Sequence, residues 1–331
     1  MLTIQRRKVL GGFAGLGAAT LGALASPAWA QPGKVNKLAP RLQIVIPSMS
    51  RGSLDEAGRA LGDALVITGL CDEIEYENKE GKGGTLGLAY YTEKYGRDPN
   101  SLLIGDTSLV GAIALQKPAV DLSRIQPIAR LTSDYLVVVV AGNSPVKTIT
   151  ELTERLRSNP RQTPIAIGSM GGVDHVFAGL LTKSAGSNPD DAAYLAFPRG
   201  FEMVDAVIGG KAVAGISGYN TFAADLASGK LRAVGVSSRR SSYGLRSVRE
   251  QGIDVDMTNW RAVFTGQGVA APRQLEMAEA VKMAISDESW KKTLKQSYWE
   301  SFWLAGPDLS SFIDLDMKTA PLVAQLLKLK A

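Results

Sequence analysis

The chain has little with which to build a metal centre or a nucleophilic active site. It carries one histidine, His175, and one cysteine, Cys71, in 331 residues. A single histidine excludes a histidine-rich metal cluster and an HExxH helix, so neither metal nor cofactor is expected. A single cysteine excludes an intrachain disulfide. Cys71 stands beside Asp72 and Glu73, which raise rather than lower a thiol pKa. Neither Ser169 nor Ser217 completes G-x-S-x-G. Ile167 precedes the first by two, and Tyr219 stands where the second needs its trailing glycine. GKGGTLG has Leu86 in place of the third glycine of G-x-G-x-x-G. GGK at 209–211 lacks the earlier glycine and the following hydroxyl of a P-loop.

What is present begins with an export pattern. Residues 1–30 hold Arg6, Arg7 and Lys8 and no acid, then an apolar Gly/Ala/Leu-rich run, then Ala28-Trp29-Ala30. This is the order of a secretory signal peptide. The run is short for a membrane-spanning helix, so cleavage after Ala30 is expected rather than retention as an anchor. QRRKVLGGF suits the twin-arginine route, but Gln5 replaces the usual serine or threonine, and the Sec route stays open. Removing those three cations from 37 basic residues leaves 34 against 32 acidic ones. The remaining basic residues are scattered, with no stripe interleaved with aromatics, so no nucleic-acid partner is expected. No later apolar run is long enough to cross a bilayer. The expected product is a soluble periplasmic protein.

After a polar linker at 31–40 the pattern alternates strand, loop and helix. RLQIVIP, EIEYEN, SLLIG and PIARLTSDYLVVVVAG read as β. Between them, 55–68, 85–95 and 108–115 read as helices from apolar residues at helical spacing. A second series starts near Ser144-Pro145. Thr148 and Glu151 there have capping-box spacing, and Gly229 is a helix stop. From Trp260 the chain returns to β, and from Pro272 helices are expected to the end, with Leu322, Leu326 and Leu327 as packing residues. The alternation predicts an α/β fold with helices on both faces of parallel-type sheets. Two domains are expected, 41–140 plus 260–331 and 141–259, joined by a hinge with an interdomain ligand cleft.

Four strand-to-helix loops are rich in Gly, Ser and Thr: IPSMSRGSLDEAGR, ENKEGKGGTLG, GDTSLVG and GSMGGVDH. Each opens a helix, where free N–H groups and the positive helix end favour an anion. Taken singly they are ordinary turns; four on one strand-end face predict a shared anion site. His175, early in its helix, is expected to be neutral. It either bonds a ligand carboxylate or orients the loop before it.

These pieces carry a resemblance. PIARLTSDYLVVVVAGNSPVKTITEL, GSMGGVDHVFAGLL, AFPRGFEMVDAVIGGKAVAGISGY, SGKLRAVGVSS and REQGIDVDMTNWRAVF, in this order and spacing, resemble the periplasmic receptors of tripartite tricarboxylate transporters, the Bug family. The resemblance implies a type II periplasmic-binding-protein fold. It implies a non-enzymatic, monomeric receptor that closes on a small organic anion such as a di- or tricarboxylate and delivers it to the membrane components of its transporter. Carried over by motif, the ligand-binding positions are Ser48, Met49, Ser50, Arg51, Gly83, Gly84, Thr107, Ser108, Ser169, Met170, Gly171, Gly172, His175, Pro198, Arg199 and Gly200. Arg51 and Arg199 depart from the family's small, Gly-rich loops. Either they grip an extra carboxylate, phosphonate or sulfonate, or they point to solvent at the rim or pair with Asp55 and Glu202.

Two other readings remain. One is an exported hydrolase using Ser169 or Ser48 with His175; the other is a ligand-sensing partner of a sensor kinase. A serine-directed fluorophosphonate probe separates enzyme from receptor. The purified protein is expected to remain unlabelled, and stoichiometric labelling of Ser48 or Ser169 would establish the hydrolase.

Overall fold

The computed structural model describes residues 37–328. The export pattern at 1–30 lies outside the described residues. The first lobe opens with β1 (Ala39–Ile46), α1 (Ser53–Ile67), β2 (Cys71–Asn78), α2 (Thr85–Tyr95), β3 (Ser101–Asp106), α3 (Thr107–Gln116) and β4 (Ile125–Asp134). The second lobe follows with β5 (Leu136–Ala141), α4 (Ile149–Ser158), β6 (Ile165–Ile167), α5 (Val173–Ser184), β7 (Tyr194–Ala196), α6 (Gly200–Ile208), β8 (Ala214–Gly218), α7 (Tyr219–Ala227) and β9 (Leu231–Val236). The chain then returns to the first lobe as β10 (Asn259–Gly266), α8 (Ala271–Ala284), α9 (Glu288–Ser297), β11 (Glu300–Ala305) and α10 (Gly306–Leu326).

Each lobe is one sheet covered on both faces. The strand orders are β11-β4-β10-β3-β1-β2 and β7-β6-β8-β5-β9. The pairings β1/β2, β1/β3, β6/β7 and β6/β8 are parallel, whereas β10 and β5 run antiparallel to their neighbours. The period-2 geometry of a strand divides its side chains between two cores. In β5, Leu136, Val138 and Val140 join the core under α4 and α5, while Val137 and Val139 join that under α6 and α7. In β1, Leu42, Ile44 and Ile46 face α1, α8 and α9, and Val45 faces α2, α3 and α10. Burial on both faces is why these strands are apolar runs rather than alternating ones.

Four expectations change. The crossing into the second lobe lies at Tyr135, between β4 and β5, not near residue 141. PIARLTSDYLVVVVAG is continuous β in pattern, but β4 pairs in the first sheet and β5 in the second. The linker ends earlier than residue 40, because β1 starts at Ala39 and pairs there with Cys71. The C-terminal stretch is not all helix: β11 pairs with β4 at the sheet edge, with a register shift between Ser301 and Leu304. Leu327, just past the end of α10, is buried, but Leu322 and Leu326 on the helix are 65% and 52% exposed and are not packing residues.

The two crossing segments run side by side. Leu136 N–H donates to Ser237 Oγ (2.9 Å) and Ser237 N–H to Leu136 O (2.8 Å). Met257 N–H donates to Ser237 O (2.8 Å). Around them pack four tyrosines, Tyr135, Tyr219, Tyr243 and Tyr298. Tyr219 lies 4.8 Å from Tyr243 and 4.5 Å from Tyr298, ring centre to centre, and Tyr243 O–H donates to Tyr298 O (3.0 Å). Tyr298 comes from the first lobe, so this cluster joins the lobes beside the hinge.

Away from the hinge the lobes also touch. A Cβ added to Gly111 of α3 would lie 2.4 Å from Gly171 O, and one added to Gly171 would lie 2.6 Å from Leu115 Cδ1. Only glycine permits this approach between α3 and the loop before α5. Gly111→Ala is therefore expected to hold the lobes apart. Small-angle scattering checks this: the variant should keep its melting temperature within a few degrees but show a larger radius of gyration than the parent. Equal radii would mean that the contact does not set lobe separation.

Candidate functional site

The first loop joins β1 to α1 and is pinned by Asp55, which is 2% exposed. Its carboxylate accepts from Arg51 N–H (2.8 Å), Arg59 Nε (3.0 Å) and Asn78 Nδ2 (2.9 Å), and Asn78 Nδ2 also donates to Ser48 O (3.2 Å). Burial works against this carboxylate, but the bonds from Arg59, Arg51 and Asn78 prevail and hold its pKa below the ordinary value. Arg51 therefore meets Asp55 through its backbone, while Arg59 takes the ion pair. Of the alternatives for Arg51, the side-chain pair with Asp55 does not form. Arg51 sits at φ 66°, a left-handed conformation that costs a non-glycine residue about 1–2 kcal/mol. Its exposed guanidinium has no partner among the described residues. Ser48 and Met49 are half-buried and Ser50 is exposed.

The second loop leans on the first and on α3. A Cβ on Gly83 would lie 2.6 Å from Ala112 Cβ, and Gly84 is buried against Pro47 and Leu109. These glycines serve close packing. In the third loop, Asp106 caps α3 by accepting from Leu109 N–H (3.0 Å), and Thr107 Oγ1 accepts from Trp260 N–H (2.9 Å). Thr107 is thus engaged with β10, and Ser108 is half-buried beside it.

The fourth loop, 168–172, opens α5 in the second lobe. Asp174 Oδ2 accepts from Gly168 N–H and Oδ1 from His175 N–H (2.9 Å). His175 is 1% exposed, accepts from Gly171 N–H at Nδ1 (2.9 Å) and packs its ring 4.6 Å from that of Tyr194. Burial pushes the imidazole pKa down to about 4 and the Asp174 carboxyl up to about 6, the charge of Asp106 in the facing lobe adding to the latter. His175 is a neutral acceptor that shapes its loop rather than a group presented to a ligand. No hydrogen bond joins it to Ser48 or Ser169 among the described residues. Ser169 and Met170 are exposed, and Gly171 and Gly172 are buried. Pro198, Arg199 and Gly200 are exposed at the start of α6, where Arg199 Nη1 lies 4.0 Å from Glu202.

Thus loops one to three lie side by side in the first lobe, and loop four meets α3 across the lobe boundary. The sequence reading missed the acids between them. Asp106 pairs in register with Arg261 of β10. Arg261 is bonded to Asp134 Oδ1 (2.6 Å), with both side chains buried, and Asn259 Nδ2 donates to the same carboxylate (3.1 Å). Their signal was present, since Asp106 and Asp174 each stand at a helix start inside a loop already singled out.

The sequence profile described as tripartite tricarboxylate transporter family receptor matches residues 61–327. A protein of Agrobacterium vitis, named UPF0065 protein in the TAR-I ttuE-ttuC' intergenic region, is 23% identical over 253 residues. The match spans 74% of this chain and 71% of that one. Among solved structures, the periplasmic binding protein BugD superposes with a TM-score of 0.75 at 19% identity, covering 88% of this chain and 98% of its own. MatC from Rhodopseudomonas palustris with bound malate gives 0.72 at 20%, covering 86% and 98%. An R. palustris protein with adipate gives 0.78 at 16%, covering 88% and 98%. These likenesses establish the periplasmic-binding-protein fold.

The Asp174 and His175 shifts act on stability with opposite sign. A raised carboxyl pKa means that folding favours the protonated form, so its contribution is lost as pH rises from about 4 to about 6. A lowered imidazole pKa means that stability is lost as pH falls from 6.5 toward about 4. Asp174→Asn removes only the first. The difference in stability between variant and parent should therefore move in the variant's favour from pH 4 to pH 6.5, by on the order of 3 kcal/mol. Denaturant melts across this range check it. A difference independent of pH would show that Asp174 is ionised normally.

Proposed function

The chain belongs to the tripartite tricarboxylate transporter receptor family, and on that premise we propose that it is an exported receptor for a small organic anion. It takes its ligand between the two lobes and presents it to the membrane components of a transporter of that type. The export pattern at 1–30 and the periplasmic relatives support the location. MatC with malate and the R. palustris protein with adipate support a carboxylate as the ligand class. The observation that carries the reading is the close approach of α3 in one lobe to the loop before α5 in the other, at Gly111 and Gly171. A ligand held beside that contact touches both lobes and so favours the closed state.

No catalytic role is proposed for the loop residues. What supports this is the engagement of His175: its Nδ1 is taken by Gly171 N–H, and burial keeps the ring neutral. The positive charge at the mouth comes from Arg51 and Arg199. Arg51 is held in a left-handed conformation with its guanidinium free, and such strain is retained where it positions a functional side chain. We place the ligand carboxylate within reach of Arg51, with Ser48, Ser50 and Ser169 as hydroxyl partners.

Thermal shift of the purified protein tests this against mono-, di- and tricarboxylates and organophosphonates. A ligand at 100 times its Kd adds about 2.7 kcal/mol, roughly a 5 °C rise in Tm for a chain of this size. The effective anion should lose at least tenfold in affinity in Arg51→Ala, with the unliganded Tm unchanged. A flat panel, with native mass spectrometry showing an empty protein, would remove the receptor reading. A bound anion indifferent to Arg51→Ala and Arg199→Ala would remove the site assignment alone.

A further inference from the structure

The loop that opens α5 already holds an anion, and it is part of the chain. The two oxygens of Asp174 accept from Gly168 N–H and His175 N–H. The backbone is wrapped around them. A Cβ at Gly168 would lie 2.9 Å from Oδ2, and one at Gly172 would lie 2.8 Å from Oδ1. Of the neighbouring amides, Gly171 N–H goes to His175 Nδ1 and Gly172 N–H to Ser169 O (3.1 Å). Asp174 is 7% exposed, so its carboxylate is seated in the loop rather than swung toward solvent. A second carboxylate, Asp106 of the first lobe, is near enough for its charge to act on Asp174, and it is itself held by the α3 cap. Arg261, the cation nearest Asp106 in the sheet, is committed to Asp134.

A ligand carboxylate brought to this helix start would find the Gly168, Gly171, Gly172 and His175 N–H groups in use and two carboxyl groups nearby. A hydroxyl or an ammonium would find two acceptors. We infer that Asp174 determines specificity: it bars a second ligand carboxylate from the α5 terminus and selects an acid that carries one carboxylate and a hydrogen-bond-donating far end. This rests on the receptor reading above and narrows it, since relatives solved with malate and adipate hold acids charged at both ends. The single carboxylate then lies toward Arg51, the unpartnered cation of the first loop, and the donor end lies toward Asp174 and Asp106. The geometry also accounts for the three glycines at 168, 171 and 172. They let the backbone fold over the Asp174 carboxylate, so their signature is that of an anion loop whose anion is internal.

Chain-matched probes test this by calorimetry at pH 7.5: succinate against 4-hydroxybutyrate and 4-aminobutyrate, and adipate against 6-hydroxyhexanoate and 6-aminohexanoate. The parent protein should bind at least one donor-ended acid ten times or more tightly than the diacid of the same length. Asp174→Ser frees the amides and removes the charge, and should raise diacid affinity at least tenfold while lowering that for the donor-ended partner. Asp174→Asn keeps the shape and removes the charge alone. It should shift the preference the same way by a smaller factor, and it carries the test should the serine variant fail to fold. A parent that prefers the diacid, or folded variants that keep the parent's ratio, would overturn the inference and leave the receptor reading standing. A parent and variants that bind none of the six probes would count against the receptor reading and the inference together.

Discussion

The ion pair between Arg261 and Asp134 is the contact on which the two-lobed arrangement rests. Asp134 is the last residue of β4 before the chain leaves the first lobe, and Arg261 lies at the start of β10 just after it returns. Their 2.6 Å contact, with both side chains nearly inaccessible, ties entry to exit. A buried charge without its partner costs about 3–5 kcal/mol, so the two strands stay in register at the root of the hinge. Asn259 adds a bond to the same carboxylate, and the ring of Trp299 lies 4.2 Å from the Arg261 guanidinium. Beyond this root, the Ser237 bonds and the tyrosine cluster also join the two lobes. On the far side, α3 and the loop before α5 are in contact.

That far side is where the loop chemistry becomes specific. Glycine at 111 and 171 lets α3 approach the loop before α5, and the charge of Asp106 acts on Asp174 across that boundary. Two carboxylates in one closed space favour protonation or a donor between them, so closure over a ligand of the wrong charge is opposed by the same residues that shape the site. Electrostatic discrimination of this kind works by repulsion as much as by attraction.

Much of the fold was legible because helix and strand periods are local properties. The residues that cap or stop helices, Thr148, Gly229 and Pro272, act as read. What was not legible depends on contacts between distant segments. Residues 127–142 are one apolar β stretch, and nothing in their pattern says that Asp134 ends a strand of one sheet and Leu136 begins a strand of another. β11 escaped because an edge strand with half-exposed aromatics lacks alternation. Leu322 and Leu326 have helical spacing, but spacing alone does not supply a neighbour to pack on. The site shows the same division. The loops were recognisable from glycine and hydroxyl content, yet Gly83 and Gly84 are there for packing against Ala112 and Pro47, and His175 is a backbone acceptor. Asp174 was hidden because an acid in the first turn of a helix reads as favourable dipole pairing, whether or not it displaces a ligand.

The charges left over then define a direction. Arg51 and Arg199 are exposed on the loops of the two lobes, while Asp106, Asp134 and Asp174 sit deeper with Arg261 as their one close cation. Positive charge at the mouth raises the local concentration of anions and speeds their capture. Negative charge within repels the same group once it arrives. On the proposed reading, a solute charged at one end only is turned by this field, carboxylate outward and donor inward, before any contact forms. The strain at Arg51 and the burial of Asp174 thus belong to one device: each is a local cost, and together they orient what enters.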